Sequence, residues 1–165
     1  MADHSRAAPG VAHHMSDHRP VGVFDSGVGG LSIVREMRRQ MPRLDIVYVS
    51  DARYLPYGEK ADDFIRARAF AISEFLLEAG ARALVIACNT ATAAAAEELR
   101  QRYRLPIVGI EPAVKPASQA TQSGIVGILA TAGTLQSRKY AELLERFGHF
   151  ARVLSQPARG LVEQV

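Results

Sequence analysis

Cysteine is nearly absent from this chain of 165 residues, which contains only Cys88. A lone cysteine cannot form an internal disulfide, and this favours a reducing compartment. The sequence also lacks an apolar run of the ~18–20 residues needed to cross a bilayer. Residues 1–20 lack the apolar core of a secretory signal. These absences predict a cytoplasmic globular protein with no membrane partner.

Clustered charge of one sign is lacking as well. The formal net charge is +3, and the arginines are spread along predicted helices beside acidic residues. A nucleic-acid surface usually shows a concentrated basic patch, with aromatic residues where single strands bind. We therefore expect solvated helix faces and no nucleic-acid partner.

The histidines are concentrated in a segment without aliphatic runs, residues 1–20, which holds four of the five. This composition is typical of a disordered tail. His13, His14 and His18 could bind a metal, but no scaffold fixes them in place. We therefore expect no metal site.

What the chain does contain is a regular alternation of short apolar strands with helices. The predicted strands are 21–24, 46–49, 83–87, 107–110, 125–129 and 151–154, and the predicted helices are 31–41, 62–78, 90–103, 113–121 and 133–147. This pattern predicts an α/β fold in which a parallel sheet is flanked by helices, as a flavodoxin-like open sheet.

The expected domains are a disordered tail (1–20), a first α/β domain (21–113) and the start of a second α/β domain (114–165). Residues 160–165 resemble the opening of a further helix, and a helix of about two turns is too short to be stable alone. We expect the second domain to be incomplete and the polypeptide to be truncated. A short terminal helix is the alternative.

In open α/β sheets, ligands bind beyond the carboxyl ends of the strands. The segment Asp25–Gly30, DSGVGG, follows the first strand and opens a helix, where backbone N–H groups attract anions. It matches neither the Walker pattern nor GxGxxG. A tight turn capped by Asp25 and Ser26 explains the segment equally well.

Cys88 follows the third strand and precedes a helix for which Thr90 is the expected N-cap. A helix N-terminus stabilises a thiolate, so we expect the Cys88 pKa to shift below its usual value near ~8.5, which suits a base. A buried structural cysteine is the alternative. Asn89, Thr90, Thr131 and Thr134, also at strand ends, offer small neutral donors for a small carboxylate such as an amino acid.

Four motifs occur in one order between residues 21 and about 140. They are VGVFDSGVGGLSIVREMRRQMPRLDIVYVSD, PYG at 56–58, CNTAT at 88–92 and ATAGT at 130–134. Together they resemble bacterial glutamate racemases. The resemblance implies a cofactor-independent enzyme, commonly a homodimer, that interconverts L- and D-glutamate and supplies D-glutamate for peptidoglycan, cell wall biogenesis and cell shape. It implies two α/β domains, each carrying one cysteine that acts on one face of the substrate α-carbon.

By this resemblance, Cys88 is the base and acid for the D-enantiomer, Asp25 assists its thiol, and Glu163 assists the other half of the site. The substrate contacts that the resemblance implies are Asp25, Ser26, Pro56, Tyr57, Gly58, Asn89, Thr90, Thr131 and Thr134. The family's second cysteine lies in a Gly-Cys-Thr-His motif that these residues do not contain. Inversion needs a proton donor on the opposite face, so we expect this chain alone to be inactive.

Two alternatives stay open. The first is a related aspartate or hydantoin racemase, or a one-cysteine decarboxylase, although the complete motif set favours glutamate. The second is a non-catalytic module whose strand-end loops hold a small carboxylate or a protein partner.

Overall fold

The computed structural model describes residues 18–161 and residue 164. Glu163 and most of the predicted tail therefore lie outside the described residues. The strands are β1 (Val21–Asp25), β2 (Ile46–Ser50), β3 (Ala83–Ile86), β4 (Ile107–Gly109), β5 (Ile125–Ala130) and β6 (Arg152–Pro157). The α-helices are α1 (Leu31–Gln40), α2 (Asp62–Glu78), α3 (Asn89–Arg102), α4 (Val114–Ala120), α5 (Ala132–Gln136) and α6 (Arg138–Phe147). Across the described part of the chain, none of these helices has the length and apolarity needed to cross a membrane.

The larger sheet has four parallel strands in the order β2-β1-β3-β4. The chain leaves β1 towards one edge, forms β2, and then returns to form β3 on the other side of β1. The connections that follow β1 and β3 therefore diverge, which opens a crevice at the carboxyl ends of these two strands. The predicted parallel sheet flanked by helices is confirmed.

Helices cover both faces of this sheet. On one face, Phe24 and Leu84 lie in a fully buried cluster with residues of α2 and α3. On the other face, Val23 packs against Val34 and Met37 of α1. Helix α3 contributes mostly alanines to its interface, and Ala91 is fully buried. Small side chains allow close approach, so the helix that begins at Cys88 is held firmly against the core.

The smaller sheet is the parallel pair β5–β6. Val114 of α4 and Tyr140 and Leu143 of α6 form a buried cluster against one face of this pair. On the other face, Leu129 and Leu154 are exposed. The alternation of buried and exposed positions along β5 follows from the two-residue period of a strand.

The predicted helices 31–41 and 113–121 differ from α1 and α4 by one residue at one or both ends, and two further differences concern the elements that carry the site. The helix predicted at 133–147 is divided at Ser137, whose Oγ accepts from the Tyr140 N–H at 3.2 Å and begins a second helix. Helix α3 begins at Asn89, and its N-cap is Cys88 rather than Thr90. Cys88 occupies this position because its backbone is extended and its Sγ accepts from the Ala91 N–H at 3.5 Å.

Candidate active site

A cavity of about 370 Å³ lies at the crevice between the ends of β1 and β3. The apolar part of its wall includes Ile110 and Leu129. The predicted site residues that line it are Asp25, Ser26, Cys88, Asn89, Thr90, Thr131 and Thr134. Residues up to 109 positions apart in the chain therefore meet in one small space, as the strand-end rule predicts.

Asp25 is the last residue of β1 and is buried. Its Oδ1 accepts from the Ser26 N–H and its Oδ2 from the Gly30 N–H, both at 2.7 Å. A Cβ at position 30 would lie 2.7 Å from the Asp25 Cβ, so this close turn requires glycine. The carboxylate caps the strand-to-helix turn and also lies in the wall of the cavity. The structural and functional interpretations of DSGVGG are therefore compatible.

Cys88 lines the cavity and is 7% exposed. Its Sγ is 3.5 Å from the Ser26 Oγ. Burial raises the pKa of the Cys88 thiol, hydrogen bonds from Ser26 and the Ala91 N–H oppose that change, and the charge of Asp25 adds to it. The expected lowering of the Cys88 pKa is therefore wrong, because desolvation outweighs the stabilisation of the thiolate by the helix N-terminus.

Tyr48 supports the same turn and is not among the predicted site residues. Its hydroxyl donates to the Gly27 carbonyl at 2.7 Å, across 21 residues of chain. Burial, with the charges of Asp25 and Cys88, raises the pKa of Tyr48 to about 12. A tyrosine near the end of a strand beside β1 was the available signal, but its partner carbonyl was not readable from sequence.

Three hydroxyl groups form what we call the threonine triangle, made of Thr90, Thr131 and Thr134. The Thr90 Oγ1 is 3.0 Å from that of Thr131 and 3.2 Å from that of Thr134, and the third side is 3.0 Å. Each hydroxyl has one hydrogen and two acceptor lone pairs, so the group can be satisfied as a ring or turn its hydrogens to an incoming anion. The triangle joins the start of α3 to the start of α5.

Asn89 lines the cavity, and its Oδ1 is buried without a hydrogen-bond partner among the described residues. Buried polar atoms are paired in the large majority of cases, and an unpaired one needs an explanation. An amide oxygen is an acceptor, so Asn89 offers a place for a ligand N–H group beside the donors of the threonine triangle.

The PYG segment lies beside this cavity rather than in its wall. Pro56 and Gly58 line a neighbouring cavity of about 320 Å³ that Thr131 also borders. Tyr57 is 2% exposed, and its hydroxyl donates to the Asp51 Oδ2 at 2.5 Å. Burial and this hydrogen bond raise the pKa of Tyr57 well above its usual value. Since the Tyr57 hydroxyl is already engaged, a substrate contact by its side chain is disfavoured.

No group of three or more histidine, cysteine, aspartate or glutamate side chains within the described ranges is arranged to hold a metal ion. The chemistry on offer in the cavity is therefore that of one thiol, one carboxylate, one amide and a group of hydroxyls. These groups suit the binding of a small zwitterion and a proton transfer.

The family whose description is Asp/Glu/Hydantoin racemase matches residues 21–165. The chain belongs to this racemase family. Among curated relatives, it is 63% identical over 145 residues to a glutamate racemase of Ectopseudomonas mendocina, covering 87% of this chain and 55% of the relative. It is 58% identical to a glutamate racemase of Pseudomonas aeruginosa strain PAO1, covering 88% of this chain and 55% of the relative.

Solved racemase structures share the fold. One is Escherichia coli glutamate racemase in complex with L-glutamate and the activator UDP-MurNAc-Ala, with a TM-score of 0.82 and 41% identity. That match covers 88% of this chain and 55% of the other. Another is the glutamate racemase isoform RacE1 of Bacillus anthracis, with a TM-score of 0.79, 36% identity, and 90% and 56% of the two chains covered. This racemase-family chain spans about half the length of the curated relatives it matches.

Proposed function

We propose that these residues form one half of the active site of a glutamate racemase, in which Cys88 moves the α-proton of D-glutamate. The observation that carries the proposal is the cavity that brings the Cys88 Sγ together with the threonine triangle and the unpaired Asn89 Oδ1. Support also comes from relatives, since glutamate racemases are 63% and 58% identical to this chain over its matched part.

Each polar group of the cavity has a role in holding the substrate. The hydroxyls of the threonine triangle turn outward and donate to a carboxylate of glutamate. The Asn89 Oδ1 accepts from the α-ammonium group, which satisfies the buried oxygen. Backbone N–H groups of the loop that follows Ser26 complete the contacts. The Pro56–Gly58 segment contributes from the neighbouring cavity, which Thr131 also borders.

The protonation state of Cys88 changes when the substrate binds. Burial raises the pKa of the Cys88 thiol and so favours its protonated form. An α-ammonium group beside Sγ favours loss of the thiol proton to solvent, since an opposite charge within ~4–6 Å stabilises the thiolate that forms. The thiolate then takes the α-proton: the Cα–H bond breaks, an S–H bond forms, and the electron pair is delocalised into the substrate carboxylate. Asp25 orients the thiol through Ser26, whose Oγ is 3.5 Å from the Cys88 Sγ.

One thiol explains half of a racemisation. Return of the proton from Cys88 regenerates D-glutamate, whereas inversion needs a donor on the opposite face. The 165 residues contain one cysteine, and the proposed second-half residue Glu163 is not a thiol. We therefore propose that these residues exchange the α-proton of D-glutamate with solvent but do not form L-glutamate.

The cellular role we propose is supply of D-glutamate for peptidoglycan, and with it cell wall biogenesis and cell shape, by a cofactor-independent cytoplasmic enzyme acting as a homodimer. The two α/β units around β1–β4 and β5–β6 are proposed as a first domain at 21–113 and the beginning of a second at 114–165.

The test is deuterium incorporation at the α-carbon. D-glutamate is incubated with the chain in deuterium oxide, and loss of the Cα proton signal is followed by NMR while chiral chromatography measures L-glutamate. We expect deuterated D-glutamate, no L-glutamate, and no exchange with Cys88→Ala. D-aspartate serves as the matched substrate, and we expect it to exchange at least tenfold more slowly. Faster exchange of D-aspartate would favour an aspartate racemase.

A non-catalytic carboxylate-binding module is the second candidate. It is favoured by the burial of Cys88, which raises the pKa of the thiol and so weakens it as a base near neutral pH. Calorimetric binding of D-glutamate with no exchange of the α-proton would support this candidate and contradict the racemase proposal.

A further inference from the structure

A second polar group lies behind the site, around Asp51 at the end of β2. Asp51 is buried, and its backbone N–H donates to the Asp25 carbonyl at 2.9 Å, which fixes it beside β1. Its Oδ1 accepts from the Arg68 Nη2 at 2.7 Å, and its Oδ2 from the Arg68 Nε at 2.9 Å and from the Tyr57 hydroxyl at 2.5 Å. Three donors therefore hold one buried carboxylate, two of them in the bidentate geometry that fixes orientation most strongly.

The guanidinium of Arg68 is also held in place. Arg68 lies in α2, and the ring centroid of Tyr54 is 4.2 Å from its Cζ. Stacking on an aromatic face leaves the planar fork of the guanidinium aimed at the carboxylate. The array of Asp51, Arg68 and Tyr57 thus has little freedom to rearrange, because each member is fixed by at least two neighbours.

The array reaches the substrate cavity through Gly58. Tyr57 is buried in the core, and the next residue, Gly58, touches the side chain of Thr131 so closely that a Cβ at position 58 would lie 2.4 Å from the Thr131 Cβ. Thr131 is a member of the threonine triangle. Packed interiors transmit small displacements, so a shift of the Tyr57 ring moves Gly58 and with it the Thr131 hydroxyl.

We propose that Arg68 and Asp51 are positioning residues, which set the threonine triangle through Tyr57 and Gly58 and so determine how tightly the site holds the substrate carboxylate. The inference rests on the proposed function, because the carboxylate is that of D-glutamate. The side chains of the array, Asp51, Arg68 and Tyr57, do not line the cavity that contains Cys88. Their action on the substrate is therefore indirect.

Hydrogen bonding rather than burial alone is the reason for the polar array. An apolar aromatic side chain at position 57 would fill the same core, but without a hydroxyl bonded to Asp51 its ring would be free to rotate and shift. A hydroxyl bonded to a carboxylate that is itself clamped by Arg68 fixes the ring along its long axis, and the backbone of the PYG segment follows. Removing Arg68 alone leaves the buried Asp51 carboxylate with the Tyr57 hydroxyl as donor but without an opposite charge, which is a larger disturbance than removing both charges.

The test compares amide hydrogen exchange with substrate binding. Two amides report on the path: the Lys60 N–H, bonded to the Tyr57 carbonyl at 3.0 Å, and the Thr134 N–H, bonded to the Thr131 Oγ1 at 3.3 Å. We expect Tyr57→Phe and Arg68→Gln to speed exchange at both amides at least tenfold and to weaken calorimetric binding of D-glutamate at least tenfold. The double variant Asp51→Asn/Arg68→Gln replaces both charged groups with neutral amides. We therefore expect it to recover most of both losses relative to Arg68→Gln.

Matched controls lie outside the array, with Arg66 on α2, as Arg68 is, and Tyr103 directly after α3. Tyr103→Phe removes a hydroxyl that is 3.4 Å from Glu74 at the surface, and Arg66→Gln removes a guanidinium that pairs with the exposed Asp63. Both controls are expected to exchange and bind as the wild type does, and all variants are first checked for an unchanged fold by circular dichroism.

The outcomes distinguish a failure of this inference from a failure of the proposed function. Faster amide exchange with unchanged binding would reduce the array to a structural support and overturn the proposal. Weaker binding with unchanged exchange would overturn the path through Gly58. Failure of the double variant to recover would contradict the charge argument. If the wild type itself binds no D-glutamate, the proposed function fails and the inference fails with it, whereas the exchange data still report whether the array holds the loop.

Discussion

Replacing Gly58 by alanine tests the contact between the PYG segment and the threonine triangle. The added Cβ would lie 2.4 Å from the Thr131 Cβ, 2.8 Å from its Cγ2 and 3.0 Å from its Oγ1. All three atoms belong to a β-branched side chain that has few alternative rotamers. The neighbouring backbone must therefore move, and overpacking of this kind typically costs about 1–3 kcal/mol.

Gly127→Ala is the matched control, because a Cβ there meets no atom within 4 Å. Both substitutions restrict the unfolded chain by a similar amount, an effect of about 0.4–1 kcal/mol in favour of the folded state. The difference between the two variants therefore isolates the contact, and we expect Gly58→Ala to be less stable than Gly127→Ala by about 1–3 kcal/mol. Urea unfolding followed by far-ultraviolet circular dichroism measures this difference. Equal stability of the two variants would refute the contact and the path from Tyr57 to Thr131.

Three further predictions concern the cavity itself. Because burial raises the pKa of Cys88, iodoacetamide alkylation of the native chain should reach half its maximal rate at a higher pH than alkylation of the unfolded chain. The contribution of this thiol to folding stability is complete below the unfolded-state pKa and is lost as pH rises through the folded-state pKa. A native alkylation midpoint equal to or below that of the unfolded chain would contradict the burial argument. Asp25→Ala leaves the Ser26 and Gly30 N–H groups without their acceptor, so we expect the free energy of unfolding, measured in urea, to fall by about 1–3 kcal/mol. As a control, Asp63→Ala at an exposed position should change the free energy of unfolding by less than about 0.5 kcal/mol. Thr90→Val keeps the side-chain shape but opens the threonine triangle, so calorimetric binding of D-glutamate should weaken at least tenfold while Thr121→Val, at the surface, should bind as the wild type does.

Elements with a strong periodic pattern were predictable, and α2 shows why. Its first turn carries Asp62 and Asp63, its apolar residues repeat at helical spacing, and Gly80 with a φ of +84° follows its end, so the predicted 62–78 is the observed helix. The break at Ser137 was not predictable from the apolar pattern, since Leu135 and Tyr140 continue the pattern of a single helix across it. It depends on the Ser137 hydroxyl, which donates to the Thr134 carbonyl at 2.7 Å and caps the next helix.

In the site, too, the features that follow from strand order were predictable, and those that depend on side-chain packing were not. The strand-end rule indicated the residues around the cavity, because parallel strands bring their carboxyl ends to one edge. It could not indicate the direction of the Cys88 pKa, which depends on how much protein covers the sulfur. Nor could it indicate the bond between Asp51 and Arg68, which are 17 residues apart on different elements. Long-range side-chain pairing of this kind leaves no local pattern in a single sequence.

Protection of the single thiol by substrate tests the central claim most directly. If the α-carbon of D-glutamate binds against the Cys88 Sγ, the ligand covers the only cysteine of the chain. Alkylation by iodoacetamide, measured by mass spectrometry at one pH, should then slow with rising D-glutamate and approach a limit, while equal concentrations of L-lysine have no effect. An alkylation rate that does not change with D-glutamate would contradict the assignment of Cys88 to the substrate.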